Sequence, residues 1–156
     1  MKVVGPIDVS NEKDYNNLSL VIKVSFGDMD ILFTGDAGTS IEKQILETGE
    51  DISAEVLKVG HHGSDTSSSK EFIEAVNPKY ALISAECGNR YEHPMEPILK
   101  LLKKKKIPVY RTDEHSKEKE GSGTVVMVLT EDSISFNKKN GSYLTGPDVE
   151  KKYGGK

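Results

Sequence analysis

Between Asp30 and Arg111 the chain alternates short apolar runs with helical patterns, and this alternation restricts the fold more than any other feature. Asp30 to Thr34, Glu55 to Val59, Tyr80 to Ser84 and Ile107 to Arg111 are too short for helices and read as buried strands. Between the first two, Thr39 and Glu42 have capping-box spacing ahead of Ile41, Ile45 and Leu46, and Gly49 stops that helix. Between the next two, Thr66 to Ser69 starts a helix whose apolar face is Phe72, Ile73 and Val76, and Asn77-Pro78 ends it. Pro94 is placed as the first residue of a third helix, with Ile98, Leu101 and Leu102 facing the core. Upstream, Leu18 to Ser25 alternates with a period of two and forms a hairpin with the next strand across Gly27-Asp28. Downstream, Gly123 to Leu129 and Ser133 to Phe136 form a second hairpin across Glu131-Asp132. The order β-β-α-β-α-β-α-β-β-β predicts an α/β layer structure with a mixed sheet and flanking helices.

A chain of 156 residues is enough for one domain with its own core. No segment approaches the ~20 apolar residues of a membrane span, and the first residues lack a signal-peptide pattern. The single cysteine, Cys87, excludes an internal disulfide and a four-cysteine zinc site, and it reads as an inert loop thiol. A net charge of -4 argues against a strongly basic nucleic-acid surface. Lys103 to Lys106 form a local basic run, which reads first as a solvated helix end beside the helix dipole. Asp113 to Gly121, with His115, reads as a charged loop, and 140–156 as a flexible tail after a body spanning 1–139.

Ligands in α/β sheets collect beyond the carboxyl ends of strands. Here those ends carry Gly35-Asp36, then His61-His62-Gly63-Ser64, then Asn89, Arg90, Tyr91 and His93. Half of the four histidines fall in one turn. A hydrolytic metal site needs neutral imidazoles and carboxylates as ligands, plus an open position for water. Asp36, His61 and His62 are the candidate ligands, His62 and His93 the candidate catalytic groups, and Ser64 and Asn89 candidates for holding substrate or orienting a ligand. Each has a blander reading beside it: a turn for Gly-Asp, a satisfied structural imidazole for one of the pair, and a loop residue for His93.

In order, Asn16-Asn17-Leu18-Ser19-Leu20-Val21, Leu32-Phe33-Thr34-Gly35-Asp36, Val56 to Ser64, Pro78 to Ser84, Asn89 to Pro94 and Val109-Tyr110-Arg111-Thr112-Asp113 resemble the metallo-β-lactamase-fold domain of ComEC-type competence proteins, which take part in DNA internalisation. The resemblance covers roughly residues 14 to 129. It implies a four-layer αββα sandwich and a metal-dependent hydrolase acting on phosphodiesters or nucleic acid, with zinc or manganese as cofactor and two ions when the full fold is assembled. Asp36 matches the acidic residue that bridges two metals, and the His61-His62 turn matches the family's later histidine motif.

The family's early His-x-(His/Asp)-x-Asp-His motif has no counterpart, and no histidine precedes His61. The chain therefore resembles the C-terminal half of the fold, with Glu114 to Glu120 as an insert. Its expected partners are an N-terminal half-domain or a second copy that completes the fold, and nucleic acid. Half a sandwich should leave one bare sheet edge and some bare apolar surface. The expected location is cytoplasmic for a stand-alone soluble chain and extracytoplasmic for a piece of a competence membrane protein. The alternative is a non-catalytic fragment serving as a binding or assembly module, because the early motif is absent.

Overall fold

The computed structural model describes residues 1–114 and 123–153. Six strands form one mixed sheet in the order of the chain: β1 (Lys2–Gly5), β2 (Val21–Phe26), β3 (Met29–Phe33), β4 (Val56–Lys58), β5 (Tyr80–Ile83) and β6 (Val109–Arg111). β1, β2 and β3 pair antiparallel, and β3 to β6 run parallel. The parallel strands are joined by α1 (Thr39–Glu47), α2 (Lys70–Val76) and α3 (Glu96–Lys104). A short separate hairpin, β7 (Met127–Leu129) with β8 (Ile134–Phe136), and a last helix, α4 (Gly146–Tyr153), complete the α/β architecture.

The pleat sorts the sheet into two unlike faces. Leu32, Leu57, Ala81 and Val109 lie side by side across four strands and join the buried residues of all three crossover helices in one cluster. Ile41 and Ile45 come from α1, Phe72, Ile73 and Val76 from α2, and Ile98, Leu99 and Leu102 from α3. A fully buried side chain of this size stabilises the fold by about 1.5–3 kcal/mol. The opposite face carries the alternate row Ile22, Phe33, Lys58, Leu82 and Tyr110. The β7–β8 hairpin covers only part of it, with the Phe136 ring stacked 3.6 Å from Tyr110 and 5.2 Å from Tyr80. Val3, Leu20, Phe26 and Phe33 remain exposed. Among the described residues β1 has a neighbour on one side only, whereas β6 is flanked by the Gly141 N–H donating to Val109 O.

Several local expectations are corrected. The alternation at Leu18 to Ser25 belongs to a strand that starts at Val21, because Tyr15–Leu18 forms a 3-10 turn capped by the Asp14 carboxylate. Its apolar phase faces the open side; Val21 alone enters the helix-side core there. Thr39 and Glu42 do not form a capping box. Gly38 is the N-cap, and the buried Glu42 carboxylate accepts from the N–H groups of Ser68 and Ser69 at the start of α2. α3 begins at Glu96 with Pro97 in its first turn, two residues after Pro94, and buries Leu99 while Leu101 is only partly covered. β1 is too short to show a period in the sequence and is recognised only by its partner.

Residues 141–149 of the stretch expected to be a loose tail, 140–156, are docked. Arg111 Nη1 donates to Ser142 O at 3.1 Å and to Leu144 O at 2.5 Å, and Tyr143 Oη donates to Ile107 O at 2.7 Å. Val149 of α4 is fully buried. The hydrogen bonds run to backbone carbonyls from the buried guanidinium and the Tyr143 hydroxyl, which leave no hydrophobic period to read. His115 and residues 115–122 of the charged loop lie outside the described residues, as do 154–156.

Candidate metal centre

The parallel register sets the carboxyl ends of β3, β4 and β5 level, so the turns after them converge. Gly35 has φ +53°, where a Cβ would sit 2.8 Å from Ser19 Cβ. This left-handed turn brings Asp36 back over the strand end, and Ser19 Oγ accepts from the Asp36 N–H at 3.0 Å. The neighbouring turn is tied to it by the His61 N–H donating to Gly35 O at 3.0 Å.

The turn Gly60–Gly63 is not a helical turn in its centre. His61 (φ 46°, ψ 45°) and His62 (φ 56°, ψ 17°) are both left-handed, followed by Gly63 at φ +88°. Non-glycine residues held there cost about 1–3 kcal/mol each and persist only where surrounding contacts impose them. Those contacts are explicit: Ser68 Oγ accepts from Gly60 N at 3.0 Å, and Met95 N donates to Gly63 O at 2.9 Å. The result presents both imidazoles at the same strand end.

His62 faces Asp36 directly, with Nε2 3.4 Å from Oδ1. Its other nitrogen, Nδ1, lies 2.6 Å from Ser84 O. A carbonyl can only accept, so Nδ1 carries the proton, and in the neutral ring Nε2 is then a lone pair pointing at a carboxylate. The contact is an ion pair when that nitrogen also carries a proton. Two ligands of one tetrahedral ion at about 2.0–2.1 Å stand roughly 3.3 Å apart, which matches this pair. A backbone carbonyl holding the far nitrogen is also the usual support of a ligating histidine. Of the two imidazoles it is His62 that faces Asp36.

His61 turns elsewhere. Its Nδ1 is 3.2 Å from Thr66 Oγ1, which in turn contacts Ser64 Oγ at 2.9 Å. Its ring meets the His93 ring edge-on at 5.6 Å, and the His62 ring at 6.4 Å. Asn89 fixes the His93 loop: Oδ1 accepts from His93 N at 3.0 Å, and Nδ2 donates to His93 O at 2.7 Å. Ser64 and Asn89 thus support the two imidazole turns rather than face the Asp36–His62 pair. Among the described residues no group of three His, Cys, Asp or Glu side chains converges as a metal site. Of the candidate ligands, Asp36 and His62 are the two whose side chains meet. Two contributors carry no signal in the sequence: Ser84 acts through its carbonyl, and Thr66 reads only as part of a helix start.

His93 is buried, and burial holds its pKa below the ordinary histidine value, helped by the neighbouring His61 and His62; Asp65 and Asp36 oppose the shift. Lys58, on the open face beside Asp36, is likewise held low by burial, with Asp36 partly restoring it, and its Nζ donates to Val59 O at 2.8 Å. The His93 shift has a testable sign. Below ~6.5 the unfolded chain takes up a proton that folded His93 resists, so stability falls as pH drops through that value and levels off above it. Urea unfolding between about pH 5 and 8 should show this slope, and His93→Asn should flatten it. An unchanged slope in the variant would place the linkage in other groups.

No family model matches the chain. It is similar to ComE operon protein 3 of Bacillus subtilis (strain 168), 45% identical over 100 residues, which cover 64% of this chain and 13% of that protein. Competence protein ComA of Neisseria gonorrhoeae is 40% identical over 101 residues, 64% of this chain and 15% of that protein. Recombination protein 2 of Haemophilus influenzae is 35% identical over 111 residues, 71% of this chain and 14% of that protein. The chain thus has relatives named for competence and recombination and matches about one-seventh of their length. No helix among the described residues is long and apolar enough to cross a membrane.

Proposed function

We propose that this chain is the second half of a metal-dependent hydrolase domain of the metallo-β-lactamase type, acting on phosphodiesters of nucleic acid during DNA uptake. The observation that carries the reading is the Asp36–His62 pair, 3.4 Å apart with the far imidazole nitrogen tied to Ser84 O. The relatives named for competence support a role in DNA uptake. The exposed apolar side of the sheet, around Leu20, Phe26 and Phe33, supports a missing layer that completes an αββα sandwich. An N-terminal half or a second copy would cover it and bring further ligands.

Zinc or manganese, when bound, would make water acidic enough to ionise near neutral pH and would polarise the scissile ester. Asp36 and His62 would hold it, with the Ser84 carbonyl fixing the imidazole's tautomer. His93, kept neutral by burial, is suited to ligate or to accept a proton rather than to arrive charged as an acid. Thr66 and Ser64 hold His61 beside it.

Calorimetric titration of the chain with zinc and with manganese tests the pair. Weak binding is expected, because half of the ligands are lacking. Asp36→Ala and His62→Ala should each weaken it at least about tenfold, while His61→Ala should change it little. Joining the chain to a family N-terminal half should give hydrolysis of bis-p-nitrophenyl phosphate that both variants abolish. Binding and activity indifferent to Asp36 and His62 would sink the assignment.

A second reading has its own support. The lack of a three-ligand group among the described residues favours a non-catalytic binding or assembly module. A well-folded chain with no micromolar metal affinity, inactive after joining, would establish that reading instead.

A further inference from the structure

Tyr91 leaves more than half of its surface in water, in the loop between β5 and α3 that also carries His93. Its ring lies 24° from parallel to the His93 ring, with centroids 5.8 Å apart. The Arg90 guanidinium carbon is 4.6 Å from the Tyr91 ring centre, and Nη2 donates to Tyr91 Oη. Arg90 is itself exposed. The loop beneath them is fixed: Asn89 bonds both the N–H and the carbonyl of His93, Nδ2 also reaches Glu86 O at 2.8 Å, and Glu92 N donates to Asn89 O at 3.0 Å. An aromatic ring on a rigid mount loses little entropy when a flat group stacks on it. From Tyr91 the rings of His93 and His61 lead in steps of 5.8 and 5.6 Å toward the two neighbouring turns that carry His62 and Asp36.

We propose that the Tyr91–Arg90 pair is a stacking platform for a base of single-stranded nucleic acid, placed to hold the nucleoside beside a phosphodiester at the Asp36–His62 pair. The proposal rests on the nucleic-acid part of the reading above. Stacking on aromatic and guanidinium faces is how single strands are gripped without sequence preference. The charge of the loop points the same way. Residues 86–93 hold Glu86 and Glu92 against Arg90 alone, so the grip falls on base faces rather than on phosphates.

The test is anisotropy of a short fluorescein-labelled deoxyoligonucleotide with the full chain, no metal added, beside a matched strand with abasic positions. Tyr91→Ala should weaken binding of the intact strand roughly 5- to 150-fold, the equivalent of one lost base stack. Tyr91→Trp should retain it, and the abasic strand should not distinguish the wild type from Tyr91→Ala. Because no phosphate contact is removed, the loss should be the same at low and high salt. A circular dichroism spectrum matching the wild type shows that the variant is folded, as an exposed residue allows. Equal affinity in wild type and Tyr91→Ala, an equal loss on the abasic strand, or no wild-type binding to single strands would each overturn the platform. In the chain joined to a family N-terminal half and supplied with zinc or manganese, Asp36→Ala and bis-p-nitrophenyl phosphate separate the two readings. Tyr91-dependent binding without hydrolysis keeps the platform and removes the hydrolase; hydrolysis with Tyr91-independent binding does the reverse.

Discussion

Replacing Arg111 with alanine should cost the fold about 3–5 kcal/mol, the penalty for breaking a buried ion pair from one side. Arg111 and Asp113 are both fully buried, and they meet as a fork: Nε donates to Oδ1 at 2.9 Å and Nη2 to Oδ2 at 2.6 Å. The remaining guanidinium nitrogen holds the carbonyls of Ser142 and Leu144. Alanine leaves a carboxylate buried without its cation and two carbonyls without a donor. For a chain of this length that loss corresponds to a drop in Tm of roughly 6–20 °C. Arg111→Lys should recover only part of it, because an ammonium cannot make the planar double contact. The change should also reach the site, since the Gly146 N–H of the same docked segment donates to Pro94 O beside His93. Urea unfolding measures the first effect, and amide exchange at 141–149 the second. A loss under about 1 kcal/mol would mean that the pair contributes little beyond its desolvation cost.

Gly63→Ala is the second large effect expected. At φ +88° an alanine is strained, and its Cβ would lie 2.5 Å from Pro94 Cβ and 3.0 Å from Pro94 Cα. The second contact is with backbone, so rotating a side chain does not relieve it. Strain of about 1–3 kcal/mol and overpacking of similar size together predict a loss of roughly 2–6 kcal/mol. Relaxation would have to move the His61-His62 turn, so the metal affinity of the Asp36–His62 pair should fall with it. Gly49→Ala is the control. It has a similar φ of +69° but nothing within 4 Å, and should cost only about 1 kcal/mol without touching metal binding. Equal losses in the two variants would show that the Pro94 contact is not what constrains the turn.

The strands β3 to β6 and the three helices between them were legible because burial on one or both faces writes itself into the order of apolar residues. The Asp36 and His61-His62 turns were legible for a related reason: charged and imidazole groups placed where an apolar run stops have no part in the core. The phase of β2 was not. Both sides of that strand carry apolar residues, and only packing shows that Leu20 and Ile22 face the open side while Val21 meets the helices. Glu42 was misread because a local rule places it in its own helix cap, whereas the fold uses it to hold the start of α2.

The same division runs through the site. Residue order by itself determined the α/β alternation and the strand ends at which polar groups gather, since these depend only on which residues neighbour which. The tertiary structure decided which histidine faces the carboxylate, because the choice is made by Ser84 and Thr66, and a carbonyl can hold an imidazole whatever side chain it belongs to. It decided that residues 141–149 are docked, through one buried guanidinium, the Tyr143 hydroxyl and backbone oxygens that leave no pattern in the sequence. It also decided that one face of the sheet stays open, because coverage depends on how far the β7–β8 hairpin reaches across it.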